Sequence, residues 1–480
     1  MNWLYENEVN RCLLCHDAPC SKACPDNVNP ADRIRSLYFD NNYSAIDKLD
    51  DNACENCHLE CQKACVLNKN DYPIRIKDLI NQIKNIESKY EETNEEFSTD
   101  ISSDICGVKI ENPFLLSSSV VASNYEMLDK AFELGWAGAA FKTICTFDQH
   151  EASPRFSVLK SRTGSFYGFK NIEQLSDHAV EENLEIFKKL KKKYPNKVIV
   201  ASIMGKDEKE WEELAYKCDK AGADVIELNF SCPNMEDKTL GKTIGQSEEQ
   251  VERFTRCSRK GTNKPILAKL TPNVESMVPF ALAAKRGGAD GIAAINTIMS
   301  ITGINLDTLV PEPSVKGKSA VGGYSGNAVK PIALRFMSEM ASHPELKDLH
   351  YSGMGGIESW KDGVEFILLG CKSLQVTTAV MQYGYRIIED LCSGLKGYMK
   401  ERDISNINQL VGGTLDNVVD LDKIQRDSIL YPKFNLDECI GCGRCYISCY
   451  DGGHQAIKFD EKTRQPKLIG RKCVGCHLCK

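Results

Sequence analysis

No uninterrupted apolar run in the 480 residues approaches the ~20 needed to cross a bilayer as a helix, so no membrane role is expected. The first residues, MNWLYENEVNRCLLC, lack both the basic segment and the apolar core of a secretory leader, and a reducing, cytoplasmic setting is expected. Charge is not weighted to one sign. The 60 Lys and Arg are interspersed with 67 Asp and Glu for a net −7, which argues against a nucleic-acid partner. No G-x-G-x-x-G follows any strand-like run, so the chain is not expected to bind NAD(P)H itself. The long middle of the chain is also poor in cysteine.

The ends are not. Fifteen of the 22 cysteines fall into four tight runs: Cys12, Cys15, Cys20, Cys24; then Cys54, Cys57, Cys61, Cys65; then Cys439, Cys442, Cys445, Cys449; and finally Cys473, Cys476, Cys479. Thiolates a few residues apart on one short loop are what a 4Fe–4S cubane requires, and up to four clusters are expected. Disulfides would suit a small secreted domain, and zinc would suit paired C-x2-C units with wide gaps. The third run resembles a bacterial ferredoxin motif, with Tyr450 where proline usually stands. In two-cluster ferredoxins the fourth cysteine of a run crosses to the other cluster. Cys449 is thus expected to join Cys473, Cys476 and Cys479, while Cys439, Cys442 and Cys445 lack a fourth thiol. Either the natural C-terminus lies beyond Lys480 or one centre has three ligands, and a truncated end is expected.

Between the runs, apolar β-rich segments alternate with amphipathic helical ones, the pattern of parallel βαβ units. Strands are expected at 114–118, 139–144, 198–204, 225–231, 266–270, 291–297, 349–352 and 373–378, and helices at 172–194, 208–221, 248–259, 276–287 and 330–342. Eight such units predict an α/β fold, a (β/α)8 TIM barrel over 104–400 with its active site at the C-terminal strand ends. An α-helical iron–sulfur domain (1–84), with helices at 30–38 and 74–83, precedes it across an acidic linker (85–103). A connector (401–435) leads to a ferredoxin-like 2[4Fe–4S] domain (436–480), in which 451–466 reads as a hairpin excursion. A Gly-, Pro- and Lys-bearing loop at 306–325 breaks the rhythm and reads as a lid or a phosphate-side insertion.

Iron–sulfur centres move single electrons whereas most small-molecule redox chemistry moves two, so a flavin is the expected converter. Strand seven runs into Gly355-Gly356 and strand eight into Thr377-Thr378, where barrels bind phosphate. A tight turn would use the same glycines; their position favours FMN. Lys142 and Lys269 lie in apolar strand runs, where a buried ammonium needs an anion: a structural ion pair or a flavin ring. Asn229 and Asn296-Thr297 end strands four and six with amides that suit a ring of alternating C=O and N–H, though asparagine also serves as a turn residue. Cys232 follows strand four on a loop expected to be mobile, and a thiol with a reference pKa of about 8.5 can exchange a proton near neutrality. Cys106, Cys218, Cys257, Cys371 and Cys392 read as small buried hydrophobes, and Cys145 is open.

The strings NPFLLSSS, FKTI, NIEQLS, IVASIM, ELNFSCP, LAKLTPN, INT, GGYSG, GGI and LQVTTAV, in this order, resemble the FMN barrels of class 1 dihydroorotate dehydrogenase-like enzymes. RCLLCHDAPCSKACP and ECIGCGRCYISCYDGG resemble the cluster domains of dihydropyrimidine dehydrogenase, and dihydroorotate dehydrogenases of that class lack both ends. The resemblance implies FMN held by Lys142, Asn171, Lys269, Gly322, Gly323, Gly355, Gly356, Thr377 and Thr378. It implies uracil or thymine held by Asn171, Asn229, Asn296 and Thr297, with hydride delivered to C6 and Cys232 as general acid at C5. A homodimer or hetero-oligomer is also implied.

The chain departs from the family in lacking the FAD and NADPH domains. Electrons are therefore expected from a partner, an NAD(P)H-oxidising flavoprotein or a ferredoxin. Where the family's second N-terminal cluster uses a glutamine, this chain has Ile80, so Cys54 or Cys57 is expected to complete an all-cysteine site. Two other readings stand beside the first: a dihydroorotate dehydrogenase, since Ser231-Cys232-Pro233-Asn234 also suits that class, and a non-catalytic electron-transfer scaffold, against which the intact Lys142, Asn229 and Cys232 set argues.

Overall fold

The computed structural model describes all residues except 1–2, 48, 50–53, 56, 70–71, 88–97, 161–165, 236 and 238. Most of the expected linker, and Glu236 and Lys238 of the loop after Cys232, thus lie outside the described residues. The chain forms two compact units, Met1–Leu415 and Asp416–Lys480.

In the first unit, eight parallel strands close into a barrel: β1 (Phe114–Leu116), β2 (Gly138–Ala140), β3 (Val198–Ile203), β4 (Val225–Asn229), β5 (Ile266–Lys269), β6 (Gly291–Ala294), β7 (His350–Met354) and β8 (Ser373–Val376). All eight expected runs are strands, most of them trimmed at the ends, and β8 pairs with β1 through Leu374 and Phe114 to complete the ring. Their alternation sorts the side chains. Val225, Leu267, Val198 and Val200 form an inner core, while Ile226, Leu228, Ala268 and Ile199 pack against the surrounding helices. The same parity turns Glu227, Asn229 and Lys269 inward, with Glu227 in register with Leu267 and Asn229 with Lys269 at the C-terminal strand ends. A hairpin of Ser103–Ile105 and Val108–Ile110 adds Ile105 and Ile110 to that inner core.

Helix Glu208–Lys220 starts at Asp207, whose carboxylate accepts from the Glu210 N–H at 2.9 Å, and Ser247 caps helix Glu248–Gly261 in the same way. Such caps contribute about 1 kcal/mol each. Trp211 and Phe254 stack between these two helices with ring centroids 5.7 Å apart.

The expected helix at 172–194 begins later, at Val180. The residues before it, Phe166–Asn171, instead form a strand of a four-stranded antiparallel sheet with Phe156–Lys160, Gly322–Ser325 and Ile298–Ser300. Ile172 and Leu175 have helical spacing, but Leu175 is drawn to the wall of the central cavity. The loop expected at 306–325 thus ends as a strand of this sheet.

The N-terminal helices include Pro30–Tyr38, as expected, and Ile76–Glu87 in place of 74–83. Arg35, 6% exposed, reaches the last barrel helix, Ile387–Lys400, and meets Asp390 at 2.6 Å, fixing the cysteine-bearing segment to the barrel. In the second unit, strands Ile457–Asp460 and Gln465–Leu468 form an antiparallel hairpin between the two C-terminal cysteine runs.

Candidate active site

The C-terminal strand ends open on one cavity with about 1120 Å³ of free space including its mouth. Lys142, Asn171, Asn229, Cys232, Lys269, Asn296, Thr297, Gly355, Gly356, Thr377 and Thr378 all line it. Gly322 and Gly323 stand behind the wall in their strand, and the lining there is Tyr324, Ser325 and Gly326.

On the floor, Lys269 (3% exposed) donates to Ser118 Oγ at 2.7 Å and lies 3.5 Å from Glu227 Oε1. Glu227 is fully buried and also accepts from Ser118 at 2.8 Å and from Gln375 Nε2 at 3.0 Å. On the wall, Lys142 donates to Glu173 Oε1 at 2.7 Å and lies 3.7 Å from Glu151. Burial pushes the Glu151 carboxyl above its usual range. Both lysines therefore have carboxylate partners inside the protein, and both still face the cavity.

At the β7–β8 corner, Gly355 and Gly356 have φ of 120° and 81°, a backbone that side-chain-bearing residues rarely adopt. A Cβ on Gly356 would also stand 2.9 Å from Lys330 Cβ and 3.0 Å from the Gly326 carbonyl. Thr377 pairs with Ser119 at 3.0 Å and Thr378 donates to Ser325 at 2.9 Å. Glycine N–H groups and hydroxyls thus gather where a phosphate would sit.

Opposite, a relay of amides and hydroxyls lines the wall. Asn229 donates to Thr143 Oγ1 at 2.8 Å and accepts from Ser231, which in turn accepts from Asn296 Nδ2 at 2.7 Å. Asn234 Nδ2 donates to Asn171 Oδ1 at 3.1 Å. Cys232, 7% exposed, sits beside this relay, and burial pushes its thiol up to about 11. The loop after it closes tightly, for a Cβ on Gly241 would stand 2.3 Å from the Cys232 carbonyl. Gly323 backs Thr297 in the same manner: Gly323→Ala would place a methyl 2.1 Å from Thr297 Oγ1. We expect that variant to displace Thr297 and lower turnover on the order of 100-fold in steady-state assays.

Ser118, Glu173, Glu227 and Gln375 were not singled out by the sequence, and Asn234 entered only as the end of Ser231-Cys232-Pro233-Asn234, with no role of its own. Glu227 and Gln375 carry a readable signal, polar residues at inward positions of apolar strands, the same one that marks Lys269. Glu173 and Asn234 lie on irregular segments and carry none.

The cysteines also regroup in space. Burial, then the neighbours Cys20, Cys15 and Cys65, push Cys12 up to about 11, and burial with Cys57, Cys24 and Cys54 pushes Cys61 up to about 12. The N-terminal thiols therefore gather as Cys12, Cys15, Cys20, Cys65 and as Cys24, Cys54, Cys57, Cys61, each set drawing on both sequence runs. Ile80 is fully buried in the helical core beside the second set. In the C-terminal unit Cys449, Cys473, Cys476 and Cys479 surround one small cavity, and Cys445 lies near Cys439 and Cys442. Among the described residues no three His, Cys, Asp or Glu are placed to hold a single metal ion; a cubane instead takes one thiolate at each of four separate corners. Cys145 is buried and donates to the Phe147 carbonyl at 3.3 Å.

The residues fit a flavin. Gln375 Oε1 and Tyr324 OH, both on the cavity wall, are buried with no hydrogen-bond partner among the described residues, as expected of groups that face a bound polar ring or phosphate.

Comparison with known proteins agrees. Residues 100–399 match the family described as dihydroorotate dehydrogenase, 433–480 a 4Fe–4S dicluster domain, and 4–92 dihydropyrimidine dehydrogenase domain II, 4Fe–4S cluster. The NAD-dependent dihydropyrimidine dehydrogenase subunit PreA of Escherichia coli K12 is 55% identical over 380 residues, spanning 79% of this chain and 92% of the relative. This chain belongs to the dihydropyrimidine dehydrogenase family. It is an oxidoreductase of CH–CH bonds whose cofactors are FMN and 4Fe–4S clusters. The chloroplastic dihydropyrimidine dehydrogenase (NADP(+)) of Arabidopsis thaliana is 38% identical over 352 residues, 70% of this chain and 82% of that one. The catalytic subunit of dihydroorotate dehydrogenase B of Pyrococcus abyssi is 36% identical over 306 residues, 64% of this chain and 96% of its own. Among solved structures, the Eimeria tenella dihydroorotate dehydrogenase in complex with ferulenol overlays with a TM-score of 0.55 at 18% identity, covering 69% of this chain and 93% of that one, a likeness of fold. No helix among the described residues is long and apolar enough to cross a membrane.

Proposed function

We propose that the chain is the catalytic subunit of a dihydropyrimidine dehydrogenase, reducing the C5–C6 double bond of uracil or thymine. The observation that carries this reading is the placement of a buried, protonated Cys232 thiol in the same cavity as Asn171, Asn229, Asn296 and Thr297. FMN, when bound, supplies the hydride. Lys142, Lys269, Asn171 and the backbone around Gly322, Gly323, Gly355 and Gly356, with Thr377 and Thr378, would hold it. The asparagine amides and Thr297 orient the pyrimidine, and their N–H donors stabilise negative charge developing on its carbonyl oxygen. Cys232 then gives its Sγ proton to C5. With its pKa raised to about 11 the thiol carries that proton throughout the neutral range.

The cysteine sets of the N- and C-terminal regions would hold the 4Fe–4S clusters, with modules at 1–84, 104–400 and 436–480. The E. coli relative is named as a subunit, and electrons would arrive from a partner, an NAD(P)H-oxidising flavoprotein or a ferredoxin, in a cytoplasmic homodimer or hetero-oligomer. The test is anaerobic: reduce the cofactor-loaded protein with dithionite, add uracil, thymine or orotate, and follow the flavin absorbance. Reoxidation by uracil or thymine is expected. Reoxidation by orotate alone would point to a dihydroorotate dehydrogenase.

A further inference from the structure

Among the described residues, every cation that lines the cavity already has a carboxylate. Among the described lining residues Lys142 and Lys269 are the only lysines, and there is no arginine. Lys269 is matched by Glu227 on the floor. Lys142 is over-matched, for Glu173 lies at 2.7 Å and Glu151 at 3.7 Å, with all three side chains at most 10% exposed. Arg155 approaches the other Glu173 oxygen at 3.4 Å, but from a half-open position outside the lining.

Glu173 is itself part of the cavity wall, two residues beyond Asn171. Its N–H donates to Asn171 Oδ1 at 3.3 Å, and its carbonyl accepts from Asn234 Nδ2 at 2.8 Å. The carboxylate is therefore held in fixed relation to the amides proposed for the pyrimidine and to the Cys232 loop.

We infer that Glu173 is a specificity determinant: it occupies Lys142 and presents negative charge to the substrate cavity, admitting neutral pyrimidines and rejecting those that carry a ring carboxylate. The inference rests on the pyrimidine-reducing reading above. A carboxylated ring entering this wall would find no unmatched cation among the described lining residues and would bring a second carboxylate against Glu173. In a buried site such like-charge approach is costly, because little water screens it. A neutral ring meets none of this, and its C=O and N–H groups still find the asparagines.

The test is a pair of equilibrium titrations of the oxidised, FMN-loaded and cluster-loaded full-length protein with uracil and with orotate, read by perturbation of the flavin absorbance. The wild-type protein is expected to bind uracil at least ~100-fold more tightly than orotate. In Glu173→Gln, which keeps the shape and removes the charge, that ratio should narrow by at least ~10-fold, and in Glu151→Gln, whose side chain is not in the cavity lining, by less. An unchanged ratio in Glu173→Gln at wild-type flavin content overturns the inference. Should Glu173→Gln lose its flavin, the comparison passes to Glu151→Gln, where an unchanged ratio overturns it. Failure of uracil to perturb the wild-type flavin sinks the reductase reading itself, and this inference with it; uracil binding with poor discrimination against orotate sinks only the inference.

Discussion

Cys232→Ala is expected to leave FMN bound and to slow uracil-driven flavin reoxidation by about 10²–10⁴-fold, the range a positioned general acid contributes. The thiol stands beside the relay of Asn229, Ser231 and Asn296, whose amides and hydroxyl do not titrate near neutrality. Because burial raises the thiol to about 11, the proton-donating form is fully populated below that value and is lost as the pH rises through it. The wild-type rate should then be flat from about pH 7 to about pH 9 and fall towards pH 11, whereas an unperturbed thiol would begin to fail near about 8.5. Stopped-flow reoxidation across that range checks both. Turnover in Cys232→Ala equal to wild type would remove the thiol from the mechanism.

Lys269→Met should be nearly as damaging, for a different reason. Among the described residues its ammonium is the only cation paired with Glu227, which is 0% exposed and otherwise meets Ser118 and Gln375. Removing it strands a buried carboxylate at a cost of about 3–5 kcal/mol. A fall in Tm of about 5 °C is expected in differential scanning calorimetry for a unit of this size, together with loss of bound flavin. Adding Glu227→Gln to the same protein removes the stranded charge and should recover much of the Tm without recovering the flavin. A single variant that melts like wild type would show that the pair carries little of the barrel's stability.

These two residues differ in how openly the sequence announces them. Lys269 was visible because a lysine in ILAKL contradicts its apolar neighbours, and strand parity then turns it inward. Glu227 in VIELN obeys the same rule and could have been found with it. The eight strands were legible because a parallel barrel buries both faces of each strand, which leaves continuous apolar runs bounded by polar ends. Glu173 and Asn234 were not legible, since their positions depend on an irregular segment being folded over the barrel mouth by a sheet whose strands are far apart in the chain. The strand at Phe166–Asn171 was hidden by the helical spacing of the residues after it. The N-terminal cysteine runs revealed their chemistry but not their grouping, because Cys24 and Cys65 exchange sets only when helices Pro19–Lys22 and Glu60–Lys63 pack together.

The most direct measurement is the product of a single turnover. The protein, loaded with FMN and clusters and reduced anaerobically, is mixed with excess uracil, and dihydrouracil is quantified against the electrons lost by flavin and clusters together. The account predicts about one dihydrouracil for every two electrons lost in the wild type and almost none on the same timescale in Cys232→Ala. Flavin that stays reduced in the presence of uracil, or that is reoxidised without dihydrouracil appearing, would contradict it.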